Sequence, residues 1–171
     1  MFDRFLEQDT ERLVQGARLL TADYAFRETV ATRDRGTIAS VLANHGKRID
    51  AAMMLLVDLD RQVLADTSGS PATGQRFAFP ELLDRAGDAQ QASAMVVLHG
   101  ELYQLVIVPV LAPLPVAWLA VGFRVDDALA RDLRRLTRLQ VSFLARAQDE
   151  SWRVQASTAV GGRAHRRSCA T

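Results

Sequence analysis

Over residues 1 to 50 the apolar positions recur at the spacing of helices that bury one face. The first apolar stripe consists of Phe2, Phe5, Leu6, Leu13, Ala17 and Leu20. A second helix is expected to begin after Thr21 or Asp23, because either side chain can cap a helix N-terminus. A third stripe runs from Ile38 to Ile49. The pattern therefore predicts three successive N-terminal helices.

After residue 50 the pattern changes to short apolar runs separated by turn residues. The runs MMLLVDL and QVLADT flank residues 58–61 and predict a tight hairpin. The stretch FPELLDRAGDA predicts a short helix with Pro80 in its first turn. Three later runs, SAMVVLHG, ELYQLVIVPVL and PLPVAWLAVGFRV, predict three more strands. We therefore expect an α+β fold in which a five-stranded antiparallel sheet follows long N-terminal helices.

The last part of the chain predicts a helix and the beginning of another sheet. Residues 126–138 place aspartates at the start of a helix and arginines near its end, which suits the helix dipole. LQVSFLARA and SWRVQAST predict a hairpin without a continuation. We expect four regions: helices over 1–50, a sheet module over 51–125, a connecting helix and opening hairpin over 126–160, and a disordered basic tail over 161–171.

Charge and composition exclude several classes of protein. Lys and Arg number 21 against 20 Asp and Glu, so the chain has no strong field to attract nucleic acid. The single cysteine, Cys169, excludes an intrachain disulfide. The longest apolar run, over 105–123, is interrupted by Pro109, Pro113 and Pro115, so we expect no membrane-spanning helix there.

Asp58 and Asp60 are the most prominent carboxylate pair. Residues two apart on a strand share a face, so the pair could bind a cation. The alternative is a solvent-facing hairpin turn, which we favour because a calcium loop needs more oxygen ligands and a glycine. The three histidines are far apart, and no nucleophile elbow or phosphate loop occurs. We therefore expect no catalytic site, no metal, no cofactor and no enzymatic activity.

Polar and aromatic residues within or beside the apolar strands are the candidate ligand-binding residues. They are Asp66, Arg76, Tyr103, Gln104 and Trp118. A polar group on a sheet face needs a partner, and a small ligand can be that partner. The alternative for each is a solvent-facing side chain or, for Trp118, a place in the core. A ligand would lie between the sheet and residues 68–91.

Three long segments carry a resemblance to a known family. LLTADYAFRETVATRDRGTIASVLANHGKRIDAAMMLLVDLDRQVLADT, LYQLVIVPVLAPLPVAWLAVGF and DDALARDLRRLTRLQVSF are similar to the PAS-like Cache sensor regions of membrane-bound GGDEF/EAL signalling proteins. The resemblance implies a periplasmic domain of an inner-membrane protein, held between two transmembrane helices and controlling cyclic di-GMP turnover through an output domain outside this chain. The segment NHGKRID lacks the amino-acid recognition pattern of Cache receptors, so the ligand class stays open.

Two functions are therefore expected. The first is a ligand-sensing input domain for an unidentified small molecule. The alternative is a structural dimerisation module in which the N-terminal helix pairs with its copy through Phe2, Phe5, Leu13 and Leu20. A homodimer through that helix is expected in either case.

Overall fold

The computed structural model describes residues 2–68, 72–98, 100–137, 140, 142–146 and 152–158. Several sequence-based expectations lie outside these residues. They are the disordered tail over 161–171, which contains Cys169, and the turn between the predicted strands LQVSFLARA and SWRVQAST.

Five helices occur in the described part of the chain: α1 Phe2–Ala22, α2 Tyr24–Thr32, α3 Arg35–Arg48, α4 Pro80–Ala89 and α5 Asp127–Thr137. Aspartate caps separate the first three. The Asp23 carboxylate accepts the Phe26 N–H at 2.9 Å, and the Asp34 carboxylate accepts the Thr37 N–H at 2.7 Å. Three N-terminal helices are thus confirmed. None of the described helices has the length and apolar character needed to span a membrane.

The strands are β1 Met53–Val57, β2 Val63–Asp66, β3 Ala92–Leu98, β4 Glu101–Leu111, β5 Pro115–Arg124, β6 Ser142–Arg146 and β7 Trp152–Ser157. The first five form one sheet in the order β2-β1-β5-β4-β3, and β6 pairs with β7. The central pairing joins the first and last strands of the larger sheet, with Leu55 opposite Ala120. The predicted α+β fold with a five-stranded antiparallel sheet is therefore confirmed.

The described residues fall into two compact units. One contains the residues up to Val96 together with Tyr103–Arg124, and the other contains Val97–Leu102 and the residues from Val125 onwards. In the second unit the Ser157 N–H donates to Asp127 Oδ1 at 3.0 Å, and Arg134 Nη1 donates to the Thr158 carbonyl at 3.2 Å. These two bonds fasten the β6–β7 hairpin to α5.

One face of the large sheet packs against α1, α2 and α3, and we call it the helix face. Side chains alternate between the two faces of a strand, so Val106, Val108 and Val110 of β4 point to this face together. The helices contribute Val14, Ala17, Leu20, Phe26, Val30, Ile38 and Leu42. A large apolar core cluster therefore lies between the three helices and the sheet.

The opposite face of the sheet packs against α4, and we call it the α4 face. Leu55, Leu105, Ile107 and Ala120 alternate with the helix-face residues and are also buried. The position of a Cβ on Gly87 of α4 lies 3.5 Å from the Trp118 ring, which is ordinary contact. The α4 side chains that are buried are Leu82, Leu83 and Ala86. The sheet is thus covered by three helices on one face and by a single short helix on the other.

Candidate functional site

The segment over residues 72–79 joins the sheet to α4 and lies along the outer edge of β2. Val63 N–H donates to the Gln75 carbonyl at 2.9 Å, and Phe77 N–H donates to the Arg61 carbonyl at 2.8 Å. Gly74 has φ of 84°, a left-handed conformation that favours glycine, and its N–H donates to the Val63 carbonyl at 2.7 Å. Backbone bonds therefore hold the connection between sheet and helix against β2.

Asp66, at the end of β2, closes the loop that leads into this segment. Its Oδ1 accepts the Ser68 N–H and its Oδ2 accepts the Ala72 N–H, both at 2.7 Å. The residue lies opposite Leu55 and is half-buried, so it belongs to the α4 face. A carboxylate has about four acceptor positions. Asp66 can therefore hold the loop and still accept a hydrogen bond from a ligand.

Tyr103 and Trp118 also belong to the α4 face, but they lie far apart on it. Tyr103 is opposite Arg124 in the β4–β5 ladder, whereas Trp118 is opposite Pro109. Along β4, Tyr103 and Pro109, the residue opposite Trp118, are six positions apart, which corresponds to about 20 Å in an extended strand. Tyr103 is buried and Trp118 is half-buried beside Gly87. One small ligand cannot contact both side chains.

Gln104 and Arg76 have different surroundings. Gln104 lies on the helix face, is 5% exposed, and donates through Nε2 to Thr10 Oγ1 of α1 at 2.6 Å. Arg76 is exposed, and its backbone bridges to Gln62 at the outer edge of β2. The structure therefore brings Asp66, Tyr103 and Trp118 to one face, places Gln104 on the other, and places Arg76 at the edge.

The acidic hinge over residues 58–61 is a hairpin turn. Asp58 Oδ1 accepts the Gln62 N–H at 2.8 Å, and the Asp58 carbonyl accepts the Arg61 N–H at 3.1 Å. Arg61 adopts the left-handed conformation with φ of 65°, and Asp60 is exposed. Among the described residues, no group of three His, Cys, Asp or Glu side chains could hold a metal ion. Asp58 therefore stabilises the turn by accepting hydrogen bonds from its backbone.

The same turn is connected to α4 by an ion pair that sequence reasoning missed. Arg61 Nη2 lies 2.8 Å from Asp84 Oδ1, and both side chains are substantially exposed. An exposed pair of this kind contributes at most about 1 kcal/mol. No sequence signal marks it, since the two residues are 23 positions apart. The pair attaches α4 to the tip of the β1–β2 hairpin.

A groove of about 400 Å³ is a second feature that the sequence did not indicate. Its lining consists of Arg18, Thr21, Ala22, Arg27, Gln90, Pro109 and Leu111. These residues come from the helices α1 and α2, from the C-cap of α4 and from the last residues of β4. Hydrophobic periodicity does not mark Arg27 as a groove residue, because it does not reveal which other elements the polar face of a helix meets.

Solved sensor domains share this fold. The sensor domain of the V. cholerae histidine kinase DctB is 19% identical with a TM-score of 0.57, over 71% of this chain and 52% of that one. The periplasmic domain of Vibrio cholerae LuxQ is 14% identical with a TM-score of 0.59, over 94% and 76%. The ligand-binding domain of the Campylobacter jejuni chemoreceptor Tlp3, in complex with 4-methylisoleucine, is 14% identical with a TM-score of 0.52, over 91% and 62%. The chain thus spans about half the length of the DctB domain.

Comparison at the level of sequence gives the family. No curated protein matches the chain. The model of the family dCache_3, described as "Double sensory domain of two-component sensor kinase", matches residues 1–168. This match covers nearly the whole chain. The chain therefore belongs to the dCache_3 family of double sensory domains.

Proposed function

We propose that this chain is the extracytoplasmic input domain of a bacterial transmembrane signalling protein and that it senses a small molecule on the α4 face. Residues 51–125 would form the sensing module, and residues 126–160 would begin a second module. The observation that carries the proposal is the half-buried Asp66 carboxylate, which lies opposite the buried Leu55 on the sheet face that packs against the short helix α4. Buried apolar surface with few polar groups is typical of ligand sites.

The segment over residues 72–79 and α4 lie on this side of the sheet and are held by contacts that a ligand can replace or strengthen. The segment over 72–79 is held by backbone bonds to β2, and α4 is attached through the exposed Arg61–Asp84 pair. Asp66 is itself one of the groups that hold the loop. A ligand that bonds to Asp66 would therefore affect the loop that leads to α4, and differential affinity for two positions of α4 would produce a signal.

A zwitterionic amino acid is the ligand class that we propose. Tlp3 was solved in complex with 4-methylisoleucine and with L-norvaline, and it shares the fold of this chain. Asp66 can accept bonds from an ammonium group, and Arg76, whose backbone bridges to Gln62 at the other end of β2, would extend its long side chain to pair with the carboxylate. Leu55, Ala120 and Trp118 would contact the apolar side chain of the ligand.

Thermal unfolding of the chain against the twenty L-amino acids tests this proposal. At one hundred times its Kd, a ligand adds about 2.7 kcal/mol of stability, which is roughly 5 to 10 °C in Tm for a chain of this size. We expect at least one aliphatic amino acid to give a saturable shift. Asp66→Asn and Arg76→Ala should reduce that shift.

The matched control is Asp60→Asn, which makes the same change at an exposed carboxylate of the hairpin turn. This variant should retain the full shift, and so should Gln104→Ala, which alters the helix face. If no amino acid raises Tm, or if Asp66→Asn and Asp60→Asn respond alike, an amino-acid site on the α4 face is ruled out.

The output of the parent protein is the second part of the proposal. The resemblance of three segments to GGDEF/EAL proteins supports control of cyclic di-GMP turnover by a domain outside this chain. The description of the matched family favours a histidine kinase output instead. We retain cyclic di-GMP control, in a parent protein anchored in the inner membrane, with kinase output as the alternative. Assays of cyclic di-GMP synthesis, cyclic di-GMP hydrolysis and autophosphorylation on the full-length protein distinguish the two outputs.

A homodimer through the N-terminal helix completes the proposal. Leu20 is buried in the core of this chain and does not supply a dimer contact, whereas Leu13 is only partly buried against that core. The contact would use other residues of α1, of which Leu19 is 76% exposed. Sedimentation equilibrium tests this part. A monomer at all concentrations would exclude the dimer and the alternative of a purely structural dimerisation module.

A further inference from the structure

The groove lined by Arg18 and Arg27 is separate from the residues proposed to bind an amino acid. It lies where the end of α1, the first turns of α2 and the end of α4 meet the last residues of β4. β3 has seven residues and β4 has eleven, so β3 cannot pair with the whole length of β4. The carbonyl of Leu111, the last residue of β4, accepts a bond from Arg27 Nη1. The groove thus contains two guanidinium groups, those of the exposed Arg18 and the half-buried Arg27, beside an incompletely paired strand end.

The charge of the groove lining is entirely positive. The lining contains two guanidinium groups and no acidic side chain. Neither Arg18 nor Arg27 forms an ion pair with a carboxylate within the described ranges. Each guanidinium donates only to a neutral main-chain carbonyl, Arg18 to Gln90 and Arg27 to Leu111, and both bonds are 3.4 Å long. Two positive charges therefore face the same small space without a counter-charge.

Arg27 carries an unsatisfied donor. Its Nε atom is buried and has no hydrogen-bond partner among the residues that the structure describes. An arginine has five N–H donors, and a buried donor without an acceptor is costly. A bound anion would supply the missing acceptor if the guanidinium turned its Nε edge toward the groove, because a carboxylate bonds to Nε and Nη of one guanidinium in parallel.

The other residues that line the groove indicate the chemistry of the rest of the ligand. Pro109, Leu111 and Ala22 provide an apolar wall, and Leu111 is 37% exposed. The Gln90 Nε2 group donates to the Gly87 carbonyl, and Thr21 Oγ1 donates to the Arg18 carbonyl. The volume of about 400 Å³ is at the lower end of the range for ligand sites. The space suits a small anion with a short apolar group.

We propose that this groove is an oxyanion site that binds a small carboxylate, with Arg27 as the principal ligand-binding residue and Arg18 as the second. The carboxylate oxygens would accept from Arg27 Nε and from Arg18, and the apolar part of the ligand would contact Pro109 and Leu111. Because Arg18 also bonds to the Gln90 carbonyl at the end of α4, occupancy would connect α1 and α2 to the helix that covers the other site.

Titration of the labelled chain by amide NMR with sodium 3-methylbutanoate tests the proposal. Sodium phosphate and sodium chloride at equal ionic strength form the other two arms. We expect saturable shifts at Ala22, Gln90 and Leu111 with 3-methylbutanoate. Arg27→Gln should weaken the affinity roughly ten- to thirtyfold, as expected for loss of charge-assisted bonds. Arg27→Lys should weaken it as well, since lysine keeps the charge but cannot bond in parallel.

The matched control is Arg12→Gln, which removes an exposed positive charge of α1 outside the groove. This variant should bind as the wild-type chain does. Saturation by phosphate at the same amides supports the oxyanion site and identifies an inorganic ligand, whereas tighter saturation by 3-methylbutanoate identifies a carboxylate. The proposal is overturned if neither anion saturates, if chloride gives the same shifts, or if a folded Arg27→Gln or Arg27→Lys variant binds like the wild type.

Discussion

Aspartate carboxylates in this chain act mainly on backbone N–H groups. Asp34 accepts from Thr37 at the start of α3, Asp58 accepts from Gln62 in the hairpin turn, and Asp66 accepts from Ser68 and Ala72. A short carboxylate can satisfy backbone donors that helix ends and loops leave unpaired. The sequence alone therefore does not distinguish an aspartate that caps a helix from one that stabilises a turn or lines a ligand site.

Replacement of Asp66 by alanine removes both acceptors from partly buried N–H groups. We expect a loss of about 2 to 3 kcal/mol in the free energy of unfolding. Asp66→Asn should cost less, because its amide oxygen can keep one of the two bonds. Urea unfolding of the two variants measures the difference. Equal and small losses would show that the loop does not depend on Asp66.

The pKa of the Asp34 carboxyl lies below its usual value, because its hydrogen bonds from the Thr37 side chain and backbone N–H favour the charged form. A lowered folded-state pKa gives stability that is fully present above the unfolded-state pKa and is lost as pH falls through the folded-state pKa. We expect Asp34→Asn, which still caps but does not titrate, to lose less stability than wild type on acidification from neutral pH. Urea unfolding as a function of pH checks this, and parallel profiles would contradict it.

At the scale of elements, the central strands β1 and β5 pack closely where Gly122 lies opposite Met53. On the α4 face, a Cβ added to Gly122 would lie 2.6 Å from Met53 Cγ on the neighbouring strand. We expect Gly122→Ala to destabilise the chain by about 1 to 3 kcal/mol through overpacking. Thermal or urea unfolding measures the loss.

Gly16→Ala in α1 is the control for that substitution. A Cβ there meets nothing within 4 Å, so alanine should stabilise the helix by about 0.5 to 1 kcal/mol. If the clash is the cause of the loss, Met53→Ala should cost less in the Gly122→Ala background than in the wild-type chain. A Gly122→Ala variant as stable as wild type would show that the Met53 side chain moves aside at no cost and would contradict overpacking.

The elements could be predicted from the sequence, but their pairing could not. Apolar spacing, aspartate caps and the turn at Asp58 mark each helix and strand locally. The strand order and the faces depend on the β1–β5 pairing, which joins residues more than sixty positions apart. Tyr103 and Gln104 are adjacent in sequence and were expected together, yet strand alternation sends them to opposite faces. The contacts of Arg27 with β4 depend on the same long-range packing.

At the scale of the whole molecule, the sheet has one face fixed by a large core and another covered by a lighter element. The helix face contains contributions from three helices, whereas the α4 face is covered by one helix and a segment held by backbone bonds. Local opening requires the least free energy where fewest apolar contacts are lost. The membership of the chain in a sensory family is consistent with a movable cover on this face.

Hydrogen exchange of the intact chain, with and without the amino acid that stabilises it most, tests the central claim most directly. Residues 72–89, which contain the connecting segment and α4, should exchange more slowly in the presence of the ligand, together with β1 and β5 beneath them. The helices α1 to α3 should change little. Slower exchange confined to α1 to α3, or no change in residues 72–89, would contradict the assignment of the α4 face as the sensing surface.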